Sequence, residues 1–269
     1  MPSDNDLSQK NADWQQLENR IRQQTPARLM EGRTGASYHT STQLQLRLDH
    51  AAARDAVQSE LDLIANFGQE FVERWRIFEV SSNATSKPEY LLRPDLGRSL
   101  NDAARSELTE QCSHSPVLQI VIGDGLSIKA VSTQVPGLLP LLFAGASERG
   151  WSLCRPFVVR HCRVGIMNDV GELLTPSAVV LLIGERPGMA TAESLSAYLA
   201  YSPRQGHTDA NRNLISNIHQ NGVQLPEAAS RILNFVDAML KSQSSGVNLK
   251  EELQAPGHIP GGPQLKEGL

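Results

Sequence analysis

Three short segments of the sequence place an acidic residue directly after an apolar run, where open α/β sheets bind their ligands. These segments are Gly123-Asp124-Gly125, Asn168-Asp169 and Gly184-Glu185. The third continues with Arg186, so one acid and one base stand side by side. A carboxylate accepts hydrogen bonds and a guanidinium donates them, so these turns could hold the polar groups of a ligand. A tight turn with a solvated acid and base explains the third segment equally well.

The apolar runs before these turns have the composition of buried strands. Residues 117–122 and 179–183 are stretches dominated by Val, Leu and Ile, and such runs predict strands that are buried on both faces. Shorter apolar runs at 157–159, 164–167 and 214–218 predict three further strands. The turns would therefore stand at the ends of neighbouring strands.

Helices are expected between these strands. The expected helices are residues 128–149, with breaks at Pro136 and Pro140, and residues 172–174, 191–199 and 226–242. The alternation of strand, acidic turn and helix predicts an α/β fold with a mainly parallel, Rossmann-like sheet and flanking helices. Right-handed crossovers would then bring all the acidic turns to one edge of the sheet. One edge that carries several such turns is a stronger indication of a ligand site than any single turn.

The sequence divides into four segments by composition. The predicted segments are a polar N-terminal segment with a short helix (1–24), a mainly helical region (25–105), an α/β domain (106–253) and a Gly/Pro-rich tail (254–269). The longest helical pattern lies at 40–75, where apolar residues recur at helical spacing. Residues 81–98 lack a sustained period, so we expect a loop there, with a short extended piece at 90–92.

Composition argues against several classes of protein. The chain has 269 residues, of which 40% are hydrophobic, and this suffices for a substantial core. The formal net charge of −4 argues against a general affinity for nucleic acids. No apolar run approaches the ~20 residues needed to span a membrane, and the polar, acidic start does not look like a secretory signal. The three cysteines include no Cys-x-x-Cys pair, so we expect free thiols in a reducing cytoplasm.

Motifs that would indicate a self-contained active site are missing from the sequence. No Gly-x-Gly-x-x-Gly, Walker or Gly-x-Ser-x-Gly segment occurs, and no set of His and Cys residues has the spacing of a zinc site. The residues therefore indicate a protein that binds a large ligand, without a complete catalytic set or a metal site. Two alternatives stay open. One is a stand-alone α/β enzyme that binds a nucleotide, although Asp124 would repel phosphate, and the other is a scaffold protein without a ligand.

Several uncommon motifs occur together in one order along the chain. They are Thr25-Pro26-Ala27-Arg28-Leu29, Gly32-Arg33-Thr34-Gly35, residues 48–57 (Leu-Asp-His-Ala-Ala-Ala-Arg-Asp-Ala-Val), Gly123-Asp124-Gly125-Leu126-Ser127, Gly184-Glu185-Arg186-Pro187-Gly188, Tyr201-Ser202-Pro203-Arg204, residues 212–218 (Arg-Asn-Leu-Ile-Ser-Asn-Ile) and residues 245–250 (Ser-Gly-Val-Asn-Leu-Lys). In this order the chain resembles the small subunit of ethanolamine ammonia-lyase, over roughly residues 25–250. A set of several uncommon motifs is far more specific than any one short pattern.

The resemblance implies an adenosylcobalamin-dependent lyase that converts ethanolamine to acetaldehyde and ammonia. In that family a large TIM-barrel subunit holds the substrate, and the small subunit covers the cobalamin at the interface of a hetero-oligomer. The cobalamin keeps its own dimethylbenzimidazole as lower ligand, in agreement with the absence here of the Asp-x-His-x-x-Gly segment that supplies an axial histidine in other cobalamin proteins. The resemblance thus implies no catalytic residue in this chain, and it makes residues 106–253 the cobalamin-binding domain.

The resemblance also implies which residues contact the cofactor. Val164, Glu185 and Leu214 match the family's cobalamin contacts. Some members of the family have Cys at the position of Leu214. Because this chain has Leu there, a contact through a thiol is impossible, but a contact through the main chain or through packing is still expected. Val164 is expected in the strand that precedes Asn168-Asp169. Four residues of the predicted sheet edge are secondary candidates: Asp124, Ser127, Asp169 and Arg186.

Leading segments in this family can direct the enzyme into a bacterial microcompartment. Trp14, Leu17 and Ile21 form a narrow apolar stripe at helical spacing. The resemblance therefore implies a cytoplasmic enzyme within such a compartment, with the shell as a further partner. We expect no nucleic acid and no membrane among its partners.

Overall fold

The computed structural model of the chain describes residues 13–21, 29, 32–188 and 191–251. The strands are β1 (Arg33–Thr34), β2 (Ser37–Tyr38), β3 (Phe78–Ser81), β4 (Leu118–Gly123), β5 (Phe157–Arg160), β6 (Ala178–Gly184), β7 (Leu195–Tyr201) and β8 (Asn213–Ile218). The helices are α1 (13–21), α2 (Thr40–Gln58), α3 (Leu63–Phe67), α4 (Gln69–Trp75), α5 (Lys87–Leu92), α6 (Asp102–Gln111), α7 (Ile128–Glu148), α8 (Ile166–Leu174) and α9 (Leu225–Ser242). The expected tail at 254–269 and much of the expected N-terminal segment lie outside the described residues.

Six strands form one sheet in the order β3-β5-β4-β6-β7-β8. The first four pair in parallel, whereas β7 pairs antiparallel with β6, and β8 with β7. All residues of β4 and β6 are buried, as expected for apolar runs that are covered on both faces. The predicted α/β fold with a mainly parallel sheet and flanking helices is therefore confirmed. Strand β3 comes from the region 25–105, so the sheet draws on both sides of the expected domain boundary.

Alternate residues of the central strand β6 face two separate cores. Ala178, Val180 and Leu182 belong to the core that contains the apolar residues of α7 and α9. Val179 and Leu181 belong to the core that contains those of α6 and α8. This alternation follows from the period of two residues in a strand. Each fully buried aliphatic side chain contributes about 1.5–3 kcal/mol to folding. The helices on both faces of the sheet therefore stabilise it through the side chains that they bury.

Helix α7 runs without a break through Pro136 and Pro140, so the predicted breaks are wrong. A proline in a helix interior removes a hydrogen bond and costs about 3 kcal/mol. The opposing term is burial, since Leu138, Leu139 and Leu142 are fully buried in the core that α7 shares with α9. By length and hydropathy α7 could also cross a membrane, but half of that stretch is buried within the protein, as in a core helix.

The predicted strand at 164–167 is wrong, because these residues lead into α8. The first of them lies in the turn after β5, and α8 begins at Ile166. Ile166, Val170 and Leu174 recur every four residues and are fully buried, and this spacing is the period of a helix. Asp169 consequently lies in the first turn of α8 rather than in a loop after a strand.

Two further local predictions are wrong. The helix expected at 191–199 is replaced by β7, which pairs with β6 along the full length of that strand. This ladder overrides the helix propensity of the Leu and Ala residues in β7. The extended piece expected at 90–92 belongs to α5, because the side chain of Ser86 accepts a hydrogen bond from the Glu89 N–H and caps this helix.

The helical region predicted at 40–75 consists of three helices. Asp62 caps α3 by accepting a hydrogen bond from the Ala65 N–H, and Gly68, with φ 81°, separates α3 from α4. Phe67 of α3 and Trp75 of α4 pack on the core, whereas α2 buries none of its residues. Its Leu44 and Leu48 side chains are 53% and 64% exposed. The N-terminal helical region is therefore only partly packed on the sheet.

Candidate functional site

The turn after β4 and the end of β6 are in backbone contact at the carboxyl edge of the parallel strands. Gly125 has φ +58°, and a Cβ atom on it would lie 2.5 Å from the carbonyl oxygen of Gly184. A Cβ atom on Gly184 would lie 2.0 Å from the carbonyl oxygen of Ser127. Glycine is therefore required at both positions, and two of the acidic turns predicted to share an edge do meet there.

An open cleft of about 240 Å³ lies at this edge of the sheet. It is lined by Tyr90, Gly125, Leu126, Arg163, Val164, Ile183, Gly184, Glu185, Arg186, Ser196 and Tyr198. These walls combine apolar side chains with one acid and two bases, which suits a largely apolar ligand that carries polar groups at its rim. Sites for drug-sized ligands span roughly 300–1,000 Å³, so this cleft can hold only part of a large ligand.

Glu185 is the acid of the cleft, and two hydrogen bonds orient its carboxylate. Oε1 accepts from the Ser196 hydroxyl at 2.8 Å and from the Asn217 N–H at 2.9 Å. These donors belong to β7 and β8, so the carboxylate links the end of β6 to both antiparallel strands. Since both bonds use Oε1, the second carboxylate oxygen is left for a donor on a ligand.

Val164 and Leu214 take different places relative to the cleft. Val164 lies in the turn between β5 and α8, not in the expected strand, and it lines the cleft together with Glu185. Leu214 lies on β8, is 45% exposed and pairs in register with Tyr198, which does line the cleft. Directly opposite residues of antiparallel strands point to the same face, so Leu214 extends the surface beside the cleft.

Two of the secondary candidates, Ser127 and Asp169, are buried residues that hold the fold together. The Ser127 hydroxyl caps α7 by accepting from the Ala130 N–H. The Asp169 carboxylate accepts from the Leu100 N–H at 2.9 Å and from the Arg105 guanidinium at 2.5 Å. Neither side chain lines the cleft. The fourth secondary candidate, the arginine after Glu185, does line it.

Asp124 lies at the predicted sheet edge, but its carboxylate is buried and bound within the protein. It accepts hydrogen bonds from the N–H groups of His161 and Cys162, both at 2.8 Å. Burial raises the pKa of this carboxyl, and the nearby Lys87 ammonium and the two N–H donors act in the opposite direction. Burial also disfavours the charged form of Lys87 and so lowers its pKa. The Nζ atom of Lys87 donates to the Gly125 carbonyl at 3.3 Å. This pair ties α5 to the turns that line the cleft.

Tyr90, Arg163 and Tyr198 are among the side chains of the cleft that were not found from the sequence. The Tyr90 hydroxyl donates to the Cys162 carbonyl at 2.9 Å, and the Arg163 guanidinium lies over the Tyr90 ring, with its Cζ 4.2 Å from the centroid. Arg163 closely follows the end of β5, and the rule that ligands bind at the carboxyl ends of strands could have found it. Tyr198 has no such signal, because its stretch of sequence predicts a helix.

Within residues 13–21, 29, 32–188 and 191–251, no cluster of three or more His, Cys, Asp or Glu side chains could hold a metal ion. Cys112, Cys154 and Cys162 are free thiols and are buried, as expected for this chain.

Comparison with known proteins places the chain in a family. The sequence profile of the ethanolamine ammonia-lyase light chain matches residues 15–250. The ethanolamine ammonia-lyase small subunit of Clostridium perfringens is 41% identical over 230 residues, which cover 86% of this chain and 76% of that protein. The small subunits of Fusobacterium nucleatum and Clostridioides difficile are each 40% identical, with the same coverage. The resemblance seen in the sequence is thus confirmed, and the chain belongs to the ethanolamine ammonia-lyase small-subunit family.

Proposed function

We propose that this chain is the cobalamin-binding small subunit of an adenosylcobalamin-dependent lyase that converts ethanolamine to acetaldehyde and ammonia. One observation carries the cofactor part of the proposal. Two of the three expected contacts, Val164 and Glu185, come from different loops and line the same open cleft. The third, Leu214, continues the same face of the sheet beside it. Membership of the family supports the reaction class.

The residues of the cleft fit the rim of a corrin ring. Its amide side chains carry both N–H donors and carbonyl acceptors. Glu185 supplies an oriented acceptor, and Arg163 and Arg186 supply donors. The Nε atom of Arg163 is buried without a hydrogen-bond partner, so this guanidinium is not fully satisfied within the described chain. Val164 and Tyr198 add apolar surface against which a ring can pack.

The size of the cleft supports binding at an interface with the large subunit. A corrinoid is far larger than a cleft of about 240 Å³, so most of its surface needs another subunit to cover it. Relatives of this chain are called small subunits, and such a name implies a large partner. We place the substrate site on that partner. When bound, adenosylcobalamin supplies radical chemistry through its cobalt–carbon bond, while this chain binds and orients it and excludes water from one side.

We further propose that the enzyme works in the cytoplasm, within a bacterial microcompartment. Helix α1 exposes Trp14 and Leu17, which are three residues apart and 55% and 43% exposed. Such an apolar stripe suits docking on a shell protein. A fluorescent protein fused to residues 1–24 should then collect in these compartments, and a diffuse distribution in cells that build them would contradict the proposal.

A stand-alone nucleotide enzyme is the alternative from another class. Nucleotide phosphates commonly bind the free N–H groups at a helix N-terminus. At the start of α7, the Ser127 hydroxyl already accepts from the Ala130 N–H, so this N–H group is not free for a phosphate. The same hydroxyl donates to the Ala192 carbonyl at 2.5 Å. A thermal shift of the purified chain with ATP or NAD would favour this alternative, whereas the cobalamin proposal expects none.

Reconstitution tests the proposed function. The chain is mixed with the large subunit from the same source, and two quantities are measured: ethanolamine deamination and binding of hydroxocobalamin by equilibrium dialysis. We expect both in the mixture, and no turnover by the chain alone. Turnover by the isolated chain would overturn the placement of the substrate site. A stable complex that binds no corrinoid would overturn the cobalamin proposal.

A further inference from the structure

Arg163 lines the cleft, and one of its hydrogen-bond donors has no acceptor among the described residues. Its Nε is buried and has no partner, and its Nη2 makes one long bond of 3.4 Å to the Tyr90 carbonyl. The ring of Tyr90 supports the guanidinium, with 4.2 Å between Cζ and the ring centroid. An unpaired buried donor has lost its hydration without compensation. This arrangement is therefore unfavourable unless an acceptor enters the cleft.

Other arginines near the sheet lack this combination of an unpaired donor and a place in the cleft wall. Arg155 and Arg160, just before β5 and at its end, donate their Nε to protein acceptors at 3.1 and 2.5 Å. Arg212 also has an unpaired Nε, but both its terminal nitrogens bind other side chains, and it does not line the cleft. Among these four, Arg163 alone combines an unpaired donor with a place in the cleft wall.

The charges around Arg163 favour an acceptor that is anionic or strongly polar. Lys87 lies close enough to interact electrostatically with Arg163, and Asp124 is the buried counter-charge of Lys87. Arg186 adds a further positive charge to the cleft wall. The single acid of the cleft, Glu185, is already held by donors from β7 and β8. The cleft wall thus carries two guanidinium groups and one carboxylate, and this excess of positive charge favours a ligand oxygen.

We propose that the Arg163 guanidinium donates hydrogen bonds to an oxygen on the rim of the bound corrinoid, either of its phosphate or of an amide carbonyl. This inference rests on the function proposed above. It makes Arg163 a binding residue beside Val164 and Glu185, so that the cleft offers both a donor and an acceptor to the cofactor. The planar guanidinium, kept in place by Tyr90, loses little freedom when it binds.

Two corrinoids and two variants test this inference in the complex with the large subunit. Cobinamide keeps the amide side chains of cobalamin but lacks its phosphate and base. In equilibrium dialysis we expect Arg163→Gln to bind hydroxocobalamin about 10-fold more weakly or worse, as for a lost charged hydrogen bond. Arg163→Lys keeps the charge without the planar fork and should lose less. A loss for cobalamin alone assigns the phosphate, and a loss for both corrinoids assigns an amide carbonyl.

The control is Arg149→Gln. Arg149 directly follows α7, forms an ion pair with Asp237 of α9 and does not line the cleft. Melting temperature and complex formation verify the fold of every variant, and Arg163→Lys carries the test if the glutamine variant does not assemble. Wild-type affinity for both corrinoids in an assembled Arg163 variant would overturn this inference alone. A wild-type complex that binds neither corrinoid would overturn the proposed function together with it.

Discussion

The Glu185 carboxylate is oriented before any ligand arrives, because Ser196 and Asn217 both donate to its Oε1. Replacing it with alanine removes an acceptor from the cleft. We expect Glu185→Ala to weaken corrinoid binding by the assembled enzyme by about 1.5–3 kcal/mol, the range for a hydrogen bond to a charged group. Glu185→Gln keeps an oxygen for the Asn217 N–H and should lose less, about 1 kcal/mol. Equilibrium dialysis with hydroxocobalamin measures both losses.

The matched control for Glu185 is Glu227→Gln on α9, where the carboxylate is 59% exposed and outside the cleft. Its corrinoid affinity should equal that of the wild type. Unchanged affinity in Glu185→Ala, with an unchanged melting temperature, would remove Glu185 from the set of contacts. The scaffold alternative, in which the chain has no ligand role, would then gain support.

Cys112 and Cys154 are two buried free thiols whose interaction shifts the pKa of both. The interaction with Cys112 lowers the pKa of Cys154, while the same interaction and burial raise the pKa of Cys112. In Cys112→Ala we therefore expect Cys154 to titrate at a higher pH than in the wild type. Ultraviolet absorbance of the thiolate measures this shift, with Cys154→Ala as the background. Identical titrations of Cys112→Ala and the wild type would show that the pair is not coupled.

Residues of the cleft differ in how far the sequence reveals them. Glu185 and Arg186 follow a continuous apolar run, so the end of a buried strand could be located from the sequence, and both line the cleft. Asp169 was a wrong candidate and lies outside the cleft, because the run before it has too few residues to distinguish a strand from the first turn of a helix. Tyr198 could not be found, since its position depends on the pairing of β7 with β6, a contact between distant segments.

The same distinction applies to whole elements. Strands β4 and β6 could be predicted because long runs of Val, Leu and Ile suit only positions that are buried on both faces. Residues 195–201 alternate Leu, Ala and Tyr and suit a helix as well, so only the ladder with β6 makes them a strand. For α7, local rules predict breaks at two prolines, and the burial of its apolar face prevails. Where tertiary contacts decide, local pattern fails.

Gly125→Ala tests the close contact between the turn after β4 and the end of β6. Gly125 has φ +58° and would place a Cβ 2.5 Å from the Gly184 carbonyl oxygen, whereas Gly206 has φ +85° and open space around it. Gly206→Ala should therefore cost only backbone strain, about 1–2 kcal/mol. Gly125→Ala adds a steric clash, and we expect about 1–3 kcal/mol more. Equilibrium unfolding in urea measures the difference, and equal losses in the two variants would contradict the close contact.

Considered as a whole, the molecule is well packed around the sheet and incomplete at two places. The cleft is too small to enclose a large ligand, and α2 buries none of its residues. Helices in water gain most of their stability from packing of an apolar face. Both features agree with the proposed large partner, which the name of the related small subunits implies.

If the large subunit covers α2, the double substitution Leu44→Ser and Leu48→Ser should weaken assembly without unfolding this chain. The two side chains are four residues apart on one face and are 53% and 64% exposed, so the free energy of unfolding should change by no more than about 0.5 kcal/mol. Loss of both from an interface should weaken association about 10-fold or more, measured by sedimentation with the large subunit. Val247→Ser, at a side chain 73% exposed near the other end of the chain, is the control. Undiminished association of the double variant would mean that the partner binds elsewhere, because two apolar side chains cannot be removed from the centre of an interface without loss.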